Sequence, residues 1–305
     1  MIYTLTTNPA IDMNVNAGEL SYDRVNRTTD AVYTPNGKGL NVSFTLKHYG
    51  VASVIMGFFG GFSGEYIVGE ASKICPVKPV MIEGITRVNV FVTTPKGELK
   101  FPNAGAPVNR ARQEEMLELL RAADDLEVLS VSGSLSPEMD ASFYDELVDV
   151  CAQKGAEFIL DISHPHLAEL VERRPLLIKP NDEEVAAIFG VNVCNQADVV
   201  RALREIHQRG AQNILLTLGG EGAYFSDGRH IWHANAAQVQ VLSTACAGDA
   251  TLASFLSVWL ADRRNVEGAL TRAMATGGNV AMSAGLGDFA LVDEIARQIH
   301  VSVVA

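Results

Sequence analysis

From Asn109 onward, short apolar runs alternate with amphipathic segments, and this alternation constrains the fold more than any other feature of the sequence. Apolar runs that lie between amphipathic helices are typical of parallel strands buried on both faces. The pattern predicts strands at 128–131, 158–161, 176–179 and 213–218 and helices at 110–122, 142–153, 182–189, 198–209, 250–262 and 266–284. The sequence therefore predicts an α/β fold in which helices cover both faces of a mostly parallel sheet.

The first hundred residues have a different character. Residues 2–6 are predicted to form a strand that ends before Asn8 and Pro9. Residues 13–15, 24–32 and 88–93 have strand-like composition but are half polar, which suits a small sheet with one exposed face. No repeat or Pro/Ser-rich linker divides the chain, so we expect one domain over residues 1–305 with a small β appendage.

Charge and composition exclude several classes of partner. The chain has 24 basic and 36 acidic residues, a formal net charge of −12, which argues against a nucleic acid or an anionic membrane as partner. The longest apolar run, residues 250–261, is shorter than the ~20 residues that cross a bilayer. The N-terminus has no signal-peptide pattern, and the four cysteines are widely spaced, as in reduced cytoplasmic proteins. We expect a cytoplasmic protein.

The strongest local signal is the run Ser-Thr-Ala-Cys-Ala-Gly-Asp-Ala at 243–250, which leads into an apolar helix. Small residues allow a ligand to approach the backbone, and free N–H groups at a helix start attract anions. Asp249 is placed to accept a proton from a hydroxyl that attacks a phosphate. The alternative is that Asp249 only caps the helix.

Three further clusters are compatible with a phosphate site, and each has a structural alternative. In Asn-Gly-Lys-Gly at 36–39, Lys38 is available to a substrate phosphate, although the Walker order GxxxxGKS is absent and a plain turn is the alternative. Asn181 and Glu184 share a helix face and suit water-mediated Mg²⁺ binding, or they form only a helix cap. Residues 217–223 form a glycine turn that suits a nucleotide, or a tight hairpin.

Taken in order, these segments resemble the phosphofructokinase B (ribokinase-like) family of carbohydrate kinases. Within it they are most similar to the branch that contains kinases of fructose 1-phosphate and tagatose 6-phosphate. The resemblance spans nearly the whole chain and rests on TxNPAID (6–12), NGKGLNVS (36–43), GGFSGE (60–65), TRVNV (86–90), SGSL (132–135), KPNDEE (179–184), LGGEGA (218–223) and AGDA (247–250).

The resemblance implies a ribokinase-like three-layer fold with a small β-sheet lid from about residues 12–34 and 85–106, and a homodimer formed through that lid. It implies ATP and Mg²⁺ as cofactors. On the sugar side it assigns Asp12, Gly37, Lys38, Asn41, Asn103 and Ser132, with Arg87 and Lys38 on the existing phosphate and Arg27 as a further candidate. For catalysis it assigns Asp249 as general base and the backbone N–H groups of Cys246, Ala247, Gly248 and Asp249 as an anion hole. For Mg·ATP it assigns Asn181, Glu184, Thr217, Gly219, Gly222 and, near the adenine, Asn279.

The implied reaction is phosphorylation of fructose 1-phosphate to fructose 1,6-bisphosphate, with tagatose 6-phosphate as the alternative substrate. An alternative of another class is a non-catalytic sugar-phosphate sensor. A nicotinamide dehydrogenase does not fit, because no GxGxxG turn follows the first strand.

The chain departs from the family pattern at three places. Cys246 replaces a glycine, which costs energy if the position needs a positive φ. Asn36 also replaces a glycine, although asparagine tolerates left-handed backbone better than most residues, and residues 101–107 are more apolar than usual. These departures affect the expected substrate and rate more than the expected fold.

Overall fold

The main element of the computed structural model, which describes residues 1–305, is a ten-stranded sheet. Its strands run in the order β14-β13-β12-β11-β10-β9-β8-β1-β4-β5, and those from β11 to β5 are parallel. The strands of this sheet are β1 Ile2–Thr6, β4 Ser53–Gly60, β5 Val77–Ile82, β8 Val128–Ser132, β9 Glu157–Asp161, β10 Leu177–Ile178, β11 Ile214–Thr217, β12 Ala223–Ser226, β13 Ile231–Ala234 and β14 Val301–Val303.

Helices cover both faces of this sheet, because successive strand residues point to opposite sides. Tyr3 and Leu5 of β1 join the apolar core under α3, α4 and α7, whereas Ile2 joins the core under α1, α8 and α9. The helices are α1 Lys38–His48, α2 Gly61–Ser72, α3 Arg110–Arg121, α4 Ser142–Lys154, α5 Leu167–Leu170, α6 Asp182–Glu184, α7 Gln196–Arg209, α8 Ala247–Trp259, α9 Val266–Ala281 and α10 Val292–Ala296. The predicted α/β fold with a mostly parallel central sheet is confirmed.

A second, four-stranded sheet, here called the lid, has the order β3-β2-β6-β7. Its strands are β2 Ala10–Ala17, β3 Thr28–Asn36, β6 Arg87–Thr94 and β7 Gly97–Phe101. Asp12, Thr34 and Asn89 are in register and share one face. Met13, Tyr33 and Val90 share the other. The lid thus has a polar face and an apolar face, as its half-polar sequence indicates.

The strand order reverses next to β1, and this position fixes where a ligand can bind. The chain runs from β1 through the lid to β4 on one side, and later returns to β8 on the other side of β1. In open α/β sheets, ligands bind beyond the carboxyl ends of the strands at such a switch point. The carboxyl ends of β1 and β8, at Thr6 and Ser132, mark the expected site.

Several boundaries differ from the prediction for local reasons. The second lid strand begins at Thr28 rather than residue 24, because reciprocal hydrogen bonds between Ser21 and Asn26 close a turn just before it. The helix predicted at 250–262 begins at Ala247. The helix predicted at 182–189 is one helical turn, α6, that continues as a π-helix over Val185–Phe189.

None of the helices has both the length and the apolar character that a membrane-spanning segment requires.

Candidate active site

Three neighbouring strands of the main sheet end in a row of buried polar residues. Thr6 of β1, Ser132 of β8 and Asp161 of β9 are in register, so their side chains lie on the same face of the sheet. Oγ1 of Thr6, Oγ of Ser132 and Oδ2 of Asp161 are buried and have no hydrogen-bond partner within the protein. A polar row with free lone pairs at the switch point is a binding feature rather than a core feature.

Asp161 holds two lysines from different elements. Its Oδ1 accepts a hydrogen bond from Nζ of Lys38, the first residue of α1, at 3.3 Å, and forms an ion pair with Nζ of Lys179, which follows β10, at 3.1 Å. Burial by itself raises the pKa of the Asp161 carboxyl, but the two ammonium groups outweigh burial and hold that pKa below its usual range. The Asp161 carboxylate in turn raises the pKa of Lys38. Lys38 therefore stays protonated at neutral pH.

The N-terminus of α8 supplies free backbone donors beside these lysines. Cys246 precedes the helix with φ of 63°, in the left-handed region, and its side chain makes no capping bond. The N–H groups of Cys246, Gly248 and Asp249 make no hydrogen bond within the protein, whereas the N–H of Ala247 is turned to the carbonyl of Thr244 at 3.4 Å. The anion hole implied by the resemblance is thus available at three of its four positions.

Asp249 lies in the first turn of α8 and bonds to α1 rather than to its own helix. Its Oδ2 accepts a hydrogen bond from Nδ2 of Asn41 at 2.8 Å, and its side chain makes no cap. Burial, and then the Asp161 carboxylate, raise the pKa of Asp249 to about 6, against the opposing effect of Lys38. The alternative that Asp249 only caps the helix is not supported by these contacts.

Asn36 and Cys246 flank this carboxylate. Oδ1 of Asn36 accepts hydrogen bonds from the N–H of Gly37 at 2.6 Å and from Nδ2 of Asn41 at 2.8 Å, and its Nδ2 donates to Asp12. Asn36 has no positive φ, so its side chain, not a tolerance of left-handed backbone, explains its fit. Burial, and then Asp249 and Asp12, raise the pKa of the Cys246 thiol, which stays neutral.

These groups surround a cavity of about 370 Å³, here called the transfer cavity. Its lining brings together residues that are far apart in the sequence: Asn36, Lys38, Asn41, Lys179, Asn181, Thr217, Thr244, Cys246, Gly248 and Asp249. Seven of the residues assigned to a site in the sequence meet here, namely Lys38, Asn41, Asn181, Thr217, Cys246, Gly248 and Asp249.

A second cavity of about 730 Å³, here called the lid cavity, lies between the lid, helices α1 and α2 and the loops at 242–246 and 284–286. Asn36, Asn41 and Cys246 line both cavities, so the two are contiguous. Its charged lining residues are all acidic, namely Asp12, Asp30, Glu70 and Glu98. A phosphate is therefore repelled from the lid cavity and attracted to the lysines of the transfer cavity.

Arg87 and Asn103 lie at the base of the lid, outside both cavity linings. The guanidinium of Arg87 donates to the carbonyl oxygens of Asn8 at 2.9 Å and Asn103 at 3.1 Å, and its buried Nε has no partner. Burial lowers the pKa of Arg87, and Asp12 partly offsets this. Asp12, whose own pKa is raised by burial, accepts from Nδ2 of Asn89 at 2.8 Å. Arg87 thus has donors left for a ligand, while most of its bonds shape the lid.

Asn181 and Glu184 form a complete capping box at α6. Oδ1 of Asn181 accepts from the N–H of Glu184 at 2.7 Å, and Oε2 of Glu184 accepts from the N–H of Asn181 at 3.0 Å. Oε1 of Glu184 also accepts from the hydroxyl of Ser163. The carboxylate keeps spare lone pairs that suit water-mediated Mg²⁺, and the cap and the metal role are compatible.

The remaining residues predicted for the nucleotide are more dispersed. Thr217 lines the transfer cavity. Gly222 has φ of 96°, and a Cβ there would lie 2.0 Å from the carbonyl oxygen of Ala234, so packing against β13 explains this glycine. Gly219, with φ of 54°, opens the 3₁₀ turn Gly219–Glu221 of the predicted hairpin. Oδ1 of Asn279 accepts from the N–H of Leu291 at 2.9 Å and fixes the loop after α9. Gly219, Gly222 and Asn279 line neither cavity.

The profile of the pfkB family carbohydrate kinases matches residues 5–291. The chain belongs to this family. Like its relatives, this pfkB kinase is a phosphotransferase that acts on a sugar hydroxyl, and sugar kinases of the family use ATP as phosphate donor.

Relatives and solved structures agree with this assignment over the full length of the chain. A D-tagatose-1-phosphate kinase of Klebsiella oxytoca is 46% identical over 302 residues, which cover 99% of both chains. A 1-phosphofructokinase of Bacillus subtilis is 28% identical over 305 residues, with the same coverage. Phosphofructokinase-2 from Escherichia coli in complex with substrates and products superposes with a TM-score of 0.89 at 25% identity, covering 97% of this chain and 98% of that one. The tetrameric inhibited form of the same enzyme gives a TM-score of 0.88 at 26% identity, with the same coverage.

Two residues of this pfkB kinase were not predicted from the sequence to belong to the site. Lys179 was noted only as the end of a predicted strand and the first residue of KPNDEE, and Asp161 only as the last residue of another strand. The available signal was positional: each charged residue directly follows a buried apolar run, at the carboxyl end of a parallel strand. Their contact with Lys38 depends on strand order, which no local motif encodes.

Proposed function

We propose that this kinase transfers the γ-phosphoryl group of ATP to the free primary hydroxyl of a ketohexose 1-phosphate, with Asp249 as general base. One observation carries the proposal. A buried carboxylate with a pKa of about 6 shares a cavity with two lysines and with the free N–H groups of a helix N-terminus. A base whose pKa lies near the working pH is suited to take a proton from an attacking hydroxyl.

The residues divide the reaction between them. The C6 hydroxyl of the sugar attacks the γ-phosphorus of ATP, its proton passes to Oδ1 or Oδ2 of Asp249, and the bond to the β,γ-bridging oxygen breaks to release ADP. The N–H groups of Gly248 and Asp249, with Lys179, neutralise the charge on the transferred group. Mg²⁺, when bound near Asn181 and Glu184 through waters, screens the nucleotide phosphates.

The position of the charges supports a fixed orientation for the sugar. Lys38 and Arg87 are the cations on the sugar side, so we assign the existing 1-phosphate to them, with Asn103 and Ser132 beside it. The acidic lid cavity repels a phosphate and suits hydroxyl groups, which carboxylates accept as hydrogen-bond donors. Asp12 is placed for such a contact.

D-tagatose 1-phosphate is our first candidate substrate, and fructose 1-phosphate is the second. The relative at 46% identity is named for the first sugar and the relative at 28% identity for the second. The sequence alone placed fructose 1-phosphate first and tagatose 6-phosphate next. Both 1-phosphates present the same free C6 hydroxyl and differ only at C4.

An ADP-release assay with Mg·ATP tests the substrate. The panel comprises D-tagatose 1-phosphate, fructose 1-phosphate, tagatose 6-phosphate, fructose 6-phosphate and free fructose. We expect the two 1-phosphates to exceed the other sugars at least about 100-fold in kcat/KM, because free fructose lacks the charged anchor and the 6-phosphates have no free C6 hydroxyl. Preference for free fructose would contradict the role of Lys38 and Arg87, and preference for a 6-phosphate would reverse the orientation.

The proposal includes a homodimer through the lid. The apolar face of the lid carries Tyr33, Leu99 and Phe101, which are 50%, 42% and 53% exposed. A cluster of large apolar side chains on one face of a four-stranded sheet favours burial against another protein surface. In a two-fold dimer this face would pack against the same face of a second copy.

A further inference from the structure

Asp161 lies outside both cavities, yet it contacts the two cations on which phosphoryl transfer would depend. A single oxygen, Oδ1, forms ion pairs with both Nζ atoms, at 3.3 Å for Lys38 and 3.1 Å for Lys179. The two ammonium groups are therefore both in direct contact with the same atom. An ammonium group has three donors, so each lysine keeps two N–H bonds for other partners.

The two lysines face different parts of the site. Lys38 begins α1, and its side chain passes close to Gly133. A Cβ built on Gly133 would lie 3.9 Å from Cβ of Lys38. Lys179 lies at the anion hole, since a Cβ built on Gly248 would be 3.6 Å from its Nζ. Both lysines line the transfer cavity: Lys179 lies at the anion hole, and Lys38 is the lysine that the proposed function assigns to the sugar phosphate.

We propose that Asp161 is a positioning residue that holds Lys38 and Lys179 at a fixed separation on the two sides of the phosphoryl path. The proposal rests on the proposed function, in which Asp249 is the base and the lysines neutralise phosphate charge. Asp161 touches neither substrate and acts through the lysines. Without its carboxylate, the buried ammonium group of Lys179 and the partly exposed one of Lys38 repel each other and lose the common anchor.

The bonding of Asp161 distinguishes this role from a purely structural one. A buried ion pair that serves stability alone has both carboxylate oxygens satisfied. Here both lysines converge on Oδ1, and Oδ2 has no partner in the protein. The geometry therefore indicates that Asp161 fixes the distance between the two ammonium groups, although one of its own oxygens is left without a hydrogen-bond partner.

The pKa of Asp249 depends on the charges of Asp161, Lys38 and Lys179. The charged groups that face it are Asp161 from β9, Lys38 from α1 and Lys179 after β10. Asp161 raises the pKa of Asp249, and the two lysines lower it. Loss of the Asp161 charge should therefore move the acid limb of kcat/KM to lower pH, and loss of the Lys179 charge should move it to higher pH.

The test compares Asp161→Asn and Lys179→Gln, with the exposed Asp124→Asn as the matched control. Each is assayed from pH 5 to 9 with the sugar phosphate that the wild type uses best. We expect kcat to fall about 100-fold in Asp161→Asn, while ADP still binds in calorimetry. We expect acid limbs displaced in opposite directions by about one pH unit. The control should match the wild type.

Three results would overturn the proposal: an unchanged kcat in folded Asp161→Asn, no displacement of its acid limb, or displacement in the same direction as Lys179→Gln. If Asp161→Asn does not fold, the Asp161→Asn/Lys179→Gln double variant replaces it, because it keeps the buried net charge. Its kcat should then fall below that of Lys179→Gln, since Lys38 has lost its anchor, and equal values would contradict the role of Asp161. The ADP-release assay on the wild type tests the proposed substrate separately, so that its failure is distinguishable from a failure of the role of Asp161.

Discussion

Cys246, which lines the transfer cavity, has a strained backbone conformation. Its φ of 63° lies in the left-handed region, which costs an L-residue about 1–2 kcal/mol. The sequence predicted a cost if a positive φ were required, and the structure shows that it is. The turn is what directs the N–H groups of Gly248 and Asp249 into the transfer cavity, so the strain lies at the site it serves.

A pair of substitutions isolates this strain. Cys246→Ala keeps the Cβ, and with it the cost of the positive φ. Cys246→Gly removes the Cβ, so that the same φ no longer costs energy. We expect the glycine variant to have a free energy of unfolding about 1 kcal/mol higher than the alanine variant, measured by urea denaturation. At an ordinary helix position the order is reversed. Higher stability of the alanine variant would therefore contradict the strain at this position.

Some residues of the site could be predicted from the sequence, and others could not. Lys38, Asn41 and Asp249 could be predicted, because each lies in a glycine-rich turn that enters a helix. Asp161 and Lys179 could not, because a charged residue after an apolar run is common and their pairing needs the order β8-β9-β10. Asn36 was expected to tolerate left-handed backbone, and it instead bonds Asp12, Gly37 and Asn41.

At the scale of elements, the parallel strands and the longer helices between residues 109 and 218 were predicted, because apolar runs and helical spacing are strong signals. β4, β5, β7, β13 and β14 were not predicted. β5, β7 and β14 are edge strands, and β13 and β14 have only four and three residues, whereas β4 is fully buried and its apolar run was missed. The start of β3 was misplaced because side-chain bonds between Ser21 and Asn26, not composition, end the preceding turn.

The lid is the element whose role is most open to test. We expect size-exclusion chromatography with light scattering to give a dimer for the wild type and a monomer for Phe101→Glu, because a buried unpaired carboxylate is costly at an apolar interface. Val303→Glu, at an apolar residue 61% exposed at the far edge of the main sheet, is the control and should remain dimeric. A monomeric wild type would defeat the lid dimer.

At the scale of the whole molecule, the topology assembles a site from distant segments. The transfer cavity draws on residues from Asn36 to Asp249, and the switch point next to β1 explains why they meet. Eight motifs in order identified the family and, through it, most of the site. The network of charges inside the cavity came only from the folded structure, because it depends on distances across four elements.

The central claim is that Asp249 is the base of a sugar-phosphate kinase, and turnover by Asp249→Asn tests it most directly. Asparagine keeps the shape but cannot accept the proton, so we expect kcat to fall about 10²–10⁴-fold with the Kd values for ADP and the sugar phosphate nearly unchanged. In the wild type, kcat/KM should fall below a pH of about 6, where Asp249 becomes protonated. An Asp249→Asn variant with wild-type turnover, or a wild-type kcat/KM that is flat down to pH 5, would contradict the account.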